Sequence, residues 1–588
     1  MNHLLTLAIL LPAIGSLAVF SRFIGARASG VVCAVAAAPA LLLGLFASTM
    51  EHDVAWMLLG ATFGVDPVSR IFLIFTGALW MACGLYSAST MRSDPRRSAY
   101  FFFFLLSMTG NFGLLLARDV GAFYCFFALM TFAAYGLVVH ERGAGPRRAG
   151  RVYIVMSILG ELLLLAGLIF AVAAGAGIDM ADFASGVAAA PNQELITALL
   201  FFGLGVKAGA IPVHVWLPLA HPVAPTPASA VLSGAMIKAG LFGWIVMLPL
   251  GWSPAPAIAP LVVTLGLLGA FGAAIYGALQ RDPKTILAYS SVSQMSVMVV
   301  AIGAGLMAPD RWPLILGALA IYACSHGFAK GALFLGVAVA KQAAGRDMLR
   351  RMTMMGLALA ALTIAGAPPL GGAIAKKSLK AAAAGPESPS GDALALLIPL
   401  TAIMTTVVLG KFILVMAGAM RTNEGKSAVR LSPWMAAPWL TLTLGAAAAA
   451  WLIAPPTEPM TDAPQPTIPS LSAGDALAAL WPIALGVLVL AITMRLARSL
   501  PKAPAAPAGD LLSLYTLASR ATVAAGRRTR LPGPARWKLD FVPLVLDSIE
   551  QSRRGETLTN IERAMKTWPV AGAVFVMIVI TLAAMIIL

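Results

Sequence analysis

Apolar runs of about 20 residues recur along this chain from Leu4 to its C-terminal residues, and no other feature narrows the choice of fold so sharply. In hydrocarbon every backbone N–H and C=O must be paired within the protein, so a spanning segment is either an α-helix or a strand of a closed barrel. Barrel strands are short and alternate polar with apolar residues. The runs here are continuous, which selects helices, each long enough to cross about 30 Å of hydrocarbon. Composition agrees: 59% of the residues are hydrophobic and 11% charged, against about 25% charged in soluble domains.

The fold class expected is therefore an all-α membrane protein of about sixteen spans. They fall near 4–24, 31–50, 68–88, 99–117, 119–140, 152–174, 195–217, 228–250, 256–279, 285–306, 313–340, 353–380, 393–418, 433–454, 475–497 and 567–588. Loop charge supports the count. Loops after odd-numbered spans are basic: Arg22 and Arg27; Arg92, Arg96 and Arg97; Arg142, Arg147, Arg148 and Arg151; Lys341, Arg346, Arg350 and Arg351; Arg421, Lys426 and Arg430. Loops after even-numbered spans are neutral or acidic, carrying Glu51, Asp53 and Asp66, then Asp179, Asp182 and Glu194, then Glu458 and Asp462. By the positive-inside rule the odd loops face the cytoplasm and both termini face out, in a bacterial-type inner membrane. Leu4–Ile24 has no basic leader or small-residue cleavage site and reads as a retained helix. Residues 498–566 contain six prolines, from Pro501 to Pro543, which forbid one uninterrupted helix. Two amphipathic pieces lying on the cytoplasmic surface, near 509–526 and 540–565, are expected there.

The net charge of +16 does not indicate nucleic acid, because the basic residues sit in short loops as topogenic charge does. Cys33, Cys83, Cys125 and Cys324 are scattered in apolar segments without a CxxC pair, which argues against a metal site, an iron–sulfur cluster or a disulfide framework. There is no Walker A motif. No cofactor is expected.

Charge inside the spans is the functional signal. A charged side chain at mid-bilayer costs about 2.5–3.5 kcal/mol on insertion scales. Glu161 lies at the centre of Val152–Ala174, too short to snorkel. Lys207 precedes Ile211-Pro212, where a helix break admits some hydration. Lys238 is at the middle of Ala228–Leu250. His326 and Lys330, four residues apart, share one helical face, and an imidazole can relay a proton to an amine. Lys376 and Lys377 follow Pro368-Pro369-Leu370-Gly371-Gly372; a helix that resumes after the prolines places Lys376 within the membrane, and otherwise the pair is a juxtamembrane loop. Lys411 is either a relay or a snorkelling lysine. His214 and His221 either line a proton exit or cap irregular backbone. A series of amines, an imidazole and one carboxylate at membrane depth is what a proton relay requires. No carbonyl-rich filter motif suggests a channel.

The stretch Lys207–Gly243, KAGAIPVHVWLPLAHPVAPTPASAVLSGAMIKAGLFG, resembles the signature of the proton-conducting antiporter-like subunits of respiratory complex I, Mrp antiporters and membrane-bound hydrogenases. LAYSSVSQ at 287–294, HGFAK at 326–330 and AGAPPLGGAIAK at 365–376 resemble further family segments in the right order. The resemblance covers roughly 60–420, with wording nearest the hydrogenase-4 component B and formate hydrogenlyase branch. It implies a fourteen-helix core of two inverted five-helix repeats, each with one broken helix. The corresponding organisation is N-terminal helices over 1–98, a first repeat over 99–250, a second over 251–420, two helices over 421–497, the lateral segment over 498–566 and a last helix over 567–588. Two positions depart from the family. Ala128 stands where its fifth helix carries a glutamate, and Leu219 stands where an aspartate commonly follows WLP. Glu161, one helix later, is the expected substitute partner of Lys207.

The expected function is proton translocation as a subunit of a complex I-like or hydrogenase-type assembly, with protons passing from Lys207 and Lys238 through His326 and Lys330 toward Lys376. The expected partners are other membrane subunits, lipid and protons. The alternatives are a subunit of an Mrp-type cation/proton antiporter, sodium- or inorganic-carbon-coupled uptake with a non-redox partner, and a non-pumping membrane scaffold. The chain carries no evident redox centre of its own.

Overall fold

A computed structural model describes residues 2–512, apart from 22–23, 55–57, 59, 344–346, 384–388, 423–430, 458–471, 500–505 and 510. The chain divides into two units, 1–508 and 509–588. Of the second, only one turn is described, with Leu512 N–H donating to Gly509 O. The expected lateral pieces and the last span, 567–588, lie outside the described residues.

The first unit opens with α1 (Asn2–Ala18) and α2 (Ala26–Phe46). The segment expected to be an acidic loop is instead a two-stranded antiparallel hairpin, β1 (Met50–Val54) and β2 (Ala61–Val65), with Met50 opposite Val65. Arg118 anchors it from a distant part of the chain: its guanidinium bonds Asp66 at 2.6 Å, Gly64 O at 3.1 Å and Ser69 Oγ at 3.0 Å. The same Asp66 forms a capping box with Ser69, with Pro67 at the first helical position, and so starts α3 (Pro67–Thr90). There follow α4 (Arg97–Leu116), α5 (Val120–Val138) and α6 (Ala144–Ala173). Helix α6 starts earlier than its expected span and takes Arg147, Arg148 and Arg151 into its first turns. A short helix, α7 (Met180–Ala189), occupies what the sequence suggested was loop.

The expected span 195–217 is broken around Ile211-Pro212, where the sequence indicated a helix break. It is α8 (Gln193–Ala208), an irregular turn and α9 (Trp216–Val223). Then come α10 (Thr226–Val231), a π-helical turn (Leu232–Met236), α11 (Ile237–Met247), α12 (Ile258–Ala278), α13 (Pro283–Met307) and α14 (Trp312–Ala343). The expected span 353–380 likewise divides into α15 (Asp347–Ala365) and α16 (Gly371–Ala383), and α17 (Pro389–Thr422), α18 (Pro433–Thr457) and α19 (Ala473–Ser499) complete the unit. Among the described residues twelve helical segments are long and apolar enough to cross a membrane, so the chain is a multi-pass membrane protein. Helix α13 is enclosed by protein all round, whereas α19 is mostly exposed.

The two breaks share one local cause. Each occurs at Ala-Gly-Ala-x-Pro, residues 208–212 and 365–369. Gly209 (φ +75°) and Gly366 (φ +92°) take the left-handed conformation that a side chain disfavours. At each, two backbone bonds close the helix end as a Schellman motif: Ala210 N–H to Gly205 O with Gly209 N–H to Val206 O, and Ala367 N–H to Leu362 O with Gly366 N–H to Thr363 O. The proline that follows cannot donate to a continued helix. A side chain from beyond each break meets a carbonyl in the last turn: Trp216 Nε1 donates to Val206 O at 2.6 Å, and Lys376 Nζ to Ala365 O at 3.0 Å.

Candidate functional site

Helices α6 and α8 pack closely, with Gly160 and Gly203 at the crossing; a Cβ at Gly203 would lie 2.5 Å from Leu164 N. That approach puts Glu161 and Lys207 on the wall of one small cavity, with Thr131, Tyr153, Ser157 and Trp216. Its volume, about 10 Å³, is close to the smallest that holds one water. Lys207 Nζ donates to Tyr153 Oη at 3.0 Å, and Tyr153 Oη donates to Thr131 O at 2.7 Å. The amine also lies 5.5 Å from the Tyr153 ring centre and 6.0 Å from that of Trp216, within cation–π range. Glu161 is 5% exposed, and neither of its carboxyl oxygens makes a hydrogen bond. Lys207 and Thr131 are its polar neighbours. Ala128 lies one turn before Thr131 on α5 and is not on this wall, so among the described residues the carboxylate lining the cavity comes from α6.

The second cluster forms where the π-helical turn crosses α14. Gly234 and Gly327 face each other there; a Cβ on either would sit 3.0 Å from the other's carbonyl oxygen. The crossing brings together two fully buried groups 88 positions apart: Lys238 Nζ lies 2.7 Å from His326 Nδ1. The π-turn serves the same amine, because Ser233 O, whose carbonyl pattern the wider turn alters, accepts from Lys238 Nζ at 2.7 Å. Ser233 Oγ meets Ser291 Oγ at 2.7 Å, and Ser291 Oγ donates to Leu287 O at 3.0 Å. Lys330 Nζ donates to that same carbonyl at 2.9 Å and also to Ser290 Oγ. His326 and Lys330 do share a helical face, but they do not bond one another. The imidazole turns to α11 and the amine to α13.

From His326 the polar line continues. Its Nε2 is buried without a hydrogen bond. The ring helps to line a second small cavity, with Lys376, Ser325, Thr363, Gln294 and Tyr322. Tyr322 Oη donates to Gln294 Oε1 at 2.7 Å, and Gln294 Nε2 donates to Thr405 Oγ1 at 2.9 Å. Lys376 thus lies inside the bundle, not in a surface loop. Its neighbour Lys377 points elsewhere and pairs with Asp475 of α19 at 2.6 Å.

The remaining candidates divide. Lys411 is half-buried on α17 and lines neither cavity. His214 is fully buried in the break after α8, its carbonyl accepting from Leu217 N–H at 3.0 Å. His221 is fully buried in α9, its carbonyl accepting from Ser229 Oγ at 3.0 Å. Sequence reasoning had assigned no role to Tyr153, Ser290, Ser291 or Gln294. A signal existed for each. Tyr153, Ser157 and Glu161 repeat every four residues on α6, and Leu287, Ser290, Ser291 and Gln294 follow a helical stripe in the LAYSSVSQ segment. Among the described residues no three His, Cys, Asp or Glu side chains gather as metal ligands do.

Residues 117–386 match the model of the NADH:quinone oxidoreductase/Mrp antiporter transmembrane family. The chain is 29% identical to hydrogenase-4 component B of Escherichia coli over 340 residues, which is 54% of this chain and 50% of that one. It is 26% identical to a Na(+)/H(+) antiporter subunit of Alkalihalophilus pseudofirmus over 76% of this chain and 94% of that one. The chain spans about half the length of several curated relatives it matches, hydrogenase-4 component B among them. In fold it is similar to a chain of the Mrp complex from a Dietzia species, with a TM-score of 0.75 at 22% identity over 93% of this chain and 62% of that one.

Proposed function

We propose, from the premise that residues 117–386 carry the transmembrane domain of the NADH:quinone oxidoreductase/Mrp antiporter family, that this chain moves protons across the membrane as one subunit of a larger complex I-like or hydrogenase-type assembly. The observation that carries the reading is the direct contact of Lys238 with His326, a ring that also helps to line the cavity of Lys376. Two protonatable groups buried in contact, without a carboxylate between them, are costly as scaffolding. The cost is understandable where the groups exchange protons.

In this mechanism Glu161 and Lys207 form the charge-switching pair of the first half, and Glu161 takes the role of the carboxylate absent at Ala128. Lys330, His326 and Lys238 form the central relay, and Lys376 receives the proton for release at the far side. The serines of α13 and the hydroxyl of Tyr153 hold the amines in register. The two Schellman-closed breaks supply the points at which the helices can rearrange between states. The same reading includes two inverted repeats, about sixteen spans, both termini outside and the loops bearing Arg92, Arg96, Arg97, Arg142, Arg147 and Arg148 in the cytoplasm. The test is potential-driven proton flux in membrane vesicles holding the intact assembly. Lys330→Ala is expected to abolish flux, and flux at the wild-type rate would overturn the assignment.

A further inference from the structure

His221 is a fully buried imidazole whose Nδ1 and Nε2 both lack a hydrogen-bond partner. Buried polar atoms are almost always paired, so a ring with neither nitrogen satisfied calls for a reason. The ring stacks on Phe334, with centroids 4.6 Å apart and planes at 24°. Phe334 stands one helical turn beyond Lys330 on α14, so His221 reaches the lysine row from the side. Lys330 and Lys238 are charge neighbours of the imidazole, and so is a third amine, Lys284.

Lys284 sits in the first turn of α13, half-buried, and its Nζ donates to Ala224 O at 2.7 Å. Ala224 ends α9, three residues after His221. This is the basic end of the bundle. Val223 packs against Gly145, beside Arg147 and Arg148 at the start of α6. The charged neighbours of Lys284 are Asp282, Lys341 and Glu141, all from the loops or helix termini of that end. Lys284 therefore lies between the basic end and the segment that carries His221.

We propose that Lys284 and His221 form the proton-input port of the central relay. Lys284 is the mouth, and His221 is the carrier that delivers protons from the basic side to Lys330 and Lys238. One ring nitrogen accepts a proton as the other releases one, so the imidazole is neutral again after each passage and nothing is oxidised or reduced. Two unengaged nitrogens are what this hand-over needs. The proposal rests on the relay reading above.

The experiment uses potential-driven proton flux in inside-out vesicles containing the intact assembly. His221→Phe preserves the stacking on Phe334 and removes both nitrogens; flux is expected to fall by about tenfold or more with assembly intact. Lys284→Cys is expected to lower flux as well. Aminoethylthiolation of that cysteine by a cationic aminoethyl methanethiosulfonate, added outside, should restore it, because the mixed disulfide formed, with methanesulfinate leaving, rebuilds a primary amine at the mouth. Methylthiolation by the neutral methyl reagent, which leaves an uncharged disulfide, should not. Wild-type flux in His221→Phe would overturn the port, as would equal rescue by the neutral reagent. If His221→Phe does not assemble, the Lys284→Cys arm decides alone. The two readings fail differently. If Lys330→Ala also carries protons at the wild-type rate, the relay itself falls; if Lys330→Ala is silent while His221→Phe is not, only the port falls.

Discussion

Replacing His326 separates a structural hydrogen bond from a working relay. Lys238 Nζ has two acceptors, Ser233 O and His326 Nδ1, each at 2.7 Å. His326→Leu removes one of them from a fully buried amine. A hydrogen bond to a charged group contributes about 1.5–3 kcal/mol. A loss of about 2 kcal/mol shifts the folding equilibrium about thirtyfold. In His326→Asn the amide oxygen occupies nearly the position of Nδ1 and still accepts from Lys238, so that cost largely disappears. Neither variant has a titratable group at position 326, whose ring helps to line the cavity of Lys376. Both should therefore lose proton flux, by about a hundredfold if the imidazole acts as an acid–base carrier. Only His326→Leu should also lose stability. The measurements are potential-driven flux in vesicles of the intact assembly and denaturant unfolding in detergent. Wild-type flux in His326→Asn would refute the reasoning, because the pair would then be a strut and not a relay.

Four further outcomes are expected. Glu161→Gln and Lys207→Met should each lower flux, and a double-mutant cycle should show a coupling of about 0.5–3 kcal/mol; strictly additive effects would remove Glu161 as the partner of Lys207. Gly209→Ala places a side chain at φ +75° with its Cβ 2.9 Å from Leu217 Cδ1, and should destabilise by about 1–2 kcal/mol. Gly272→Ala, with nothing within 4 Å of the new methyl, should melt at or slightly above the wild-type temperature, because alanine is the better helix former. At the basic surface, burial pushes the Asp94 carboxyl up, but hydrogen bonds from His140 and the Arg96 N–H outweigh it and hold the group below its ordinary value. A depressed carboxylate stabilises the fold above its unfolded pKa, about 3.9. That contribution is lost as pH falls through the folded value. The stability gap between wild type and Asp94→Asn should therefore shrink on acidification below about pH 4, and a gap that widened there would contradict the assignment.

Much of the architecture was legible in the sequence because its causes are local. A long apolar run must become a helix in lipid wherever it sits. Gly209, Pro212, Gly366 and Pro368 break their helices through their own backbone preferences. Glu161, Lys207, Lys238, His326, Lys330 and Lys376 stood out because the cost of burying charge is a property of each residue and its span. The hairpin at Met50–Val65 was not legible, since its anchor Arg118 lies 52 positions from Asp66. Nor were the partners. Spacing suggested that His326 would serve Lys330, yet the imidazole turned to Lys238 and Lys330 turned to Leu287 and Ser290.

The sequence by itself determined that this chain crosses a membrane many times, where two of its helices break and which charges lie at depth. Only the tertiary structure decided which of those charges meet. A side chain's partner depends on which helices approach closely, and here the Gly234–Gly327 and Gly160–Gly203 crossings set the pairs by letting backbones come nearer than any larger residue would allow.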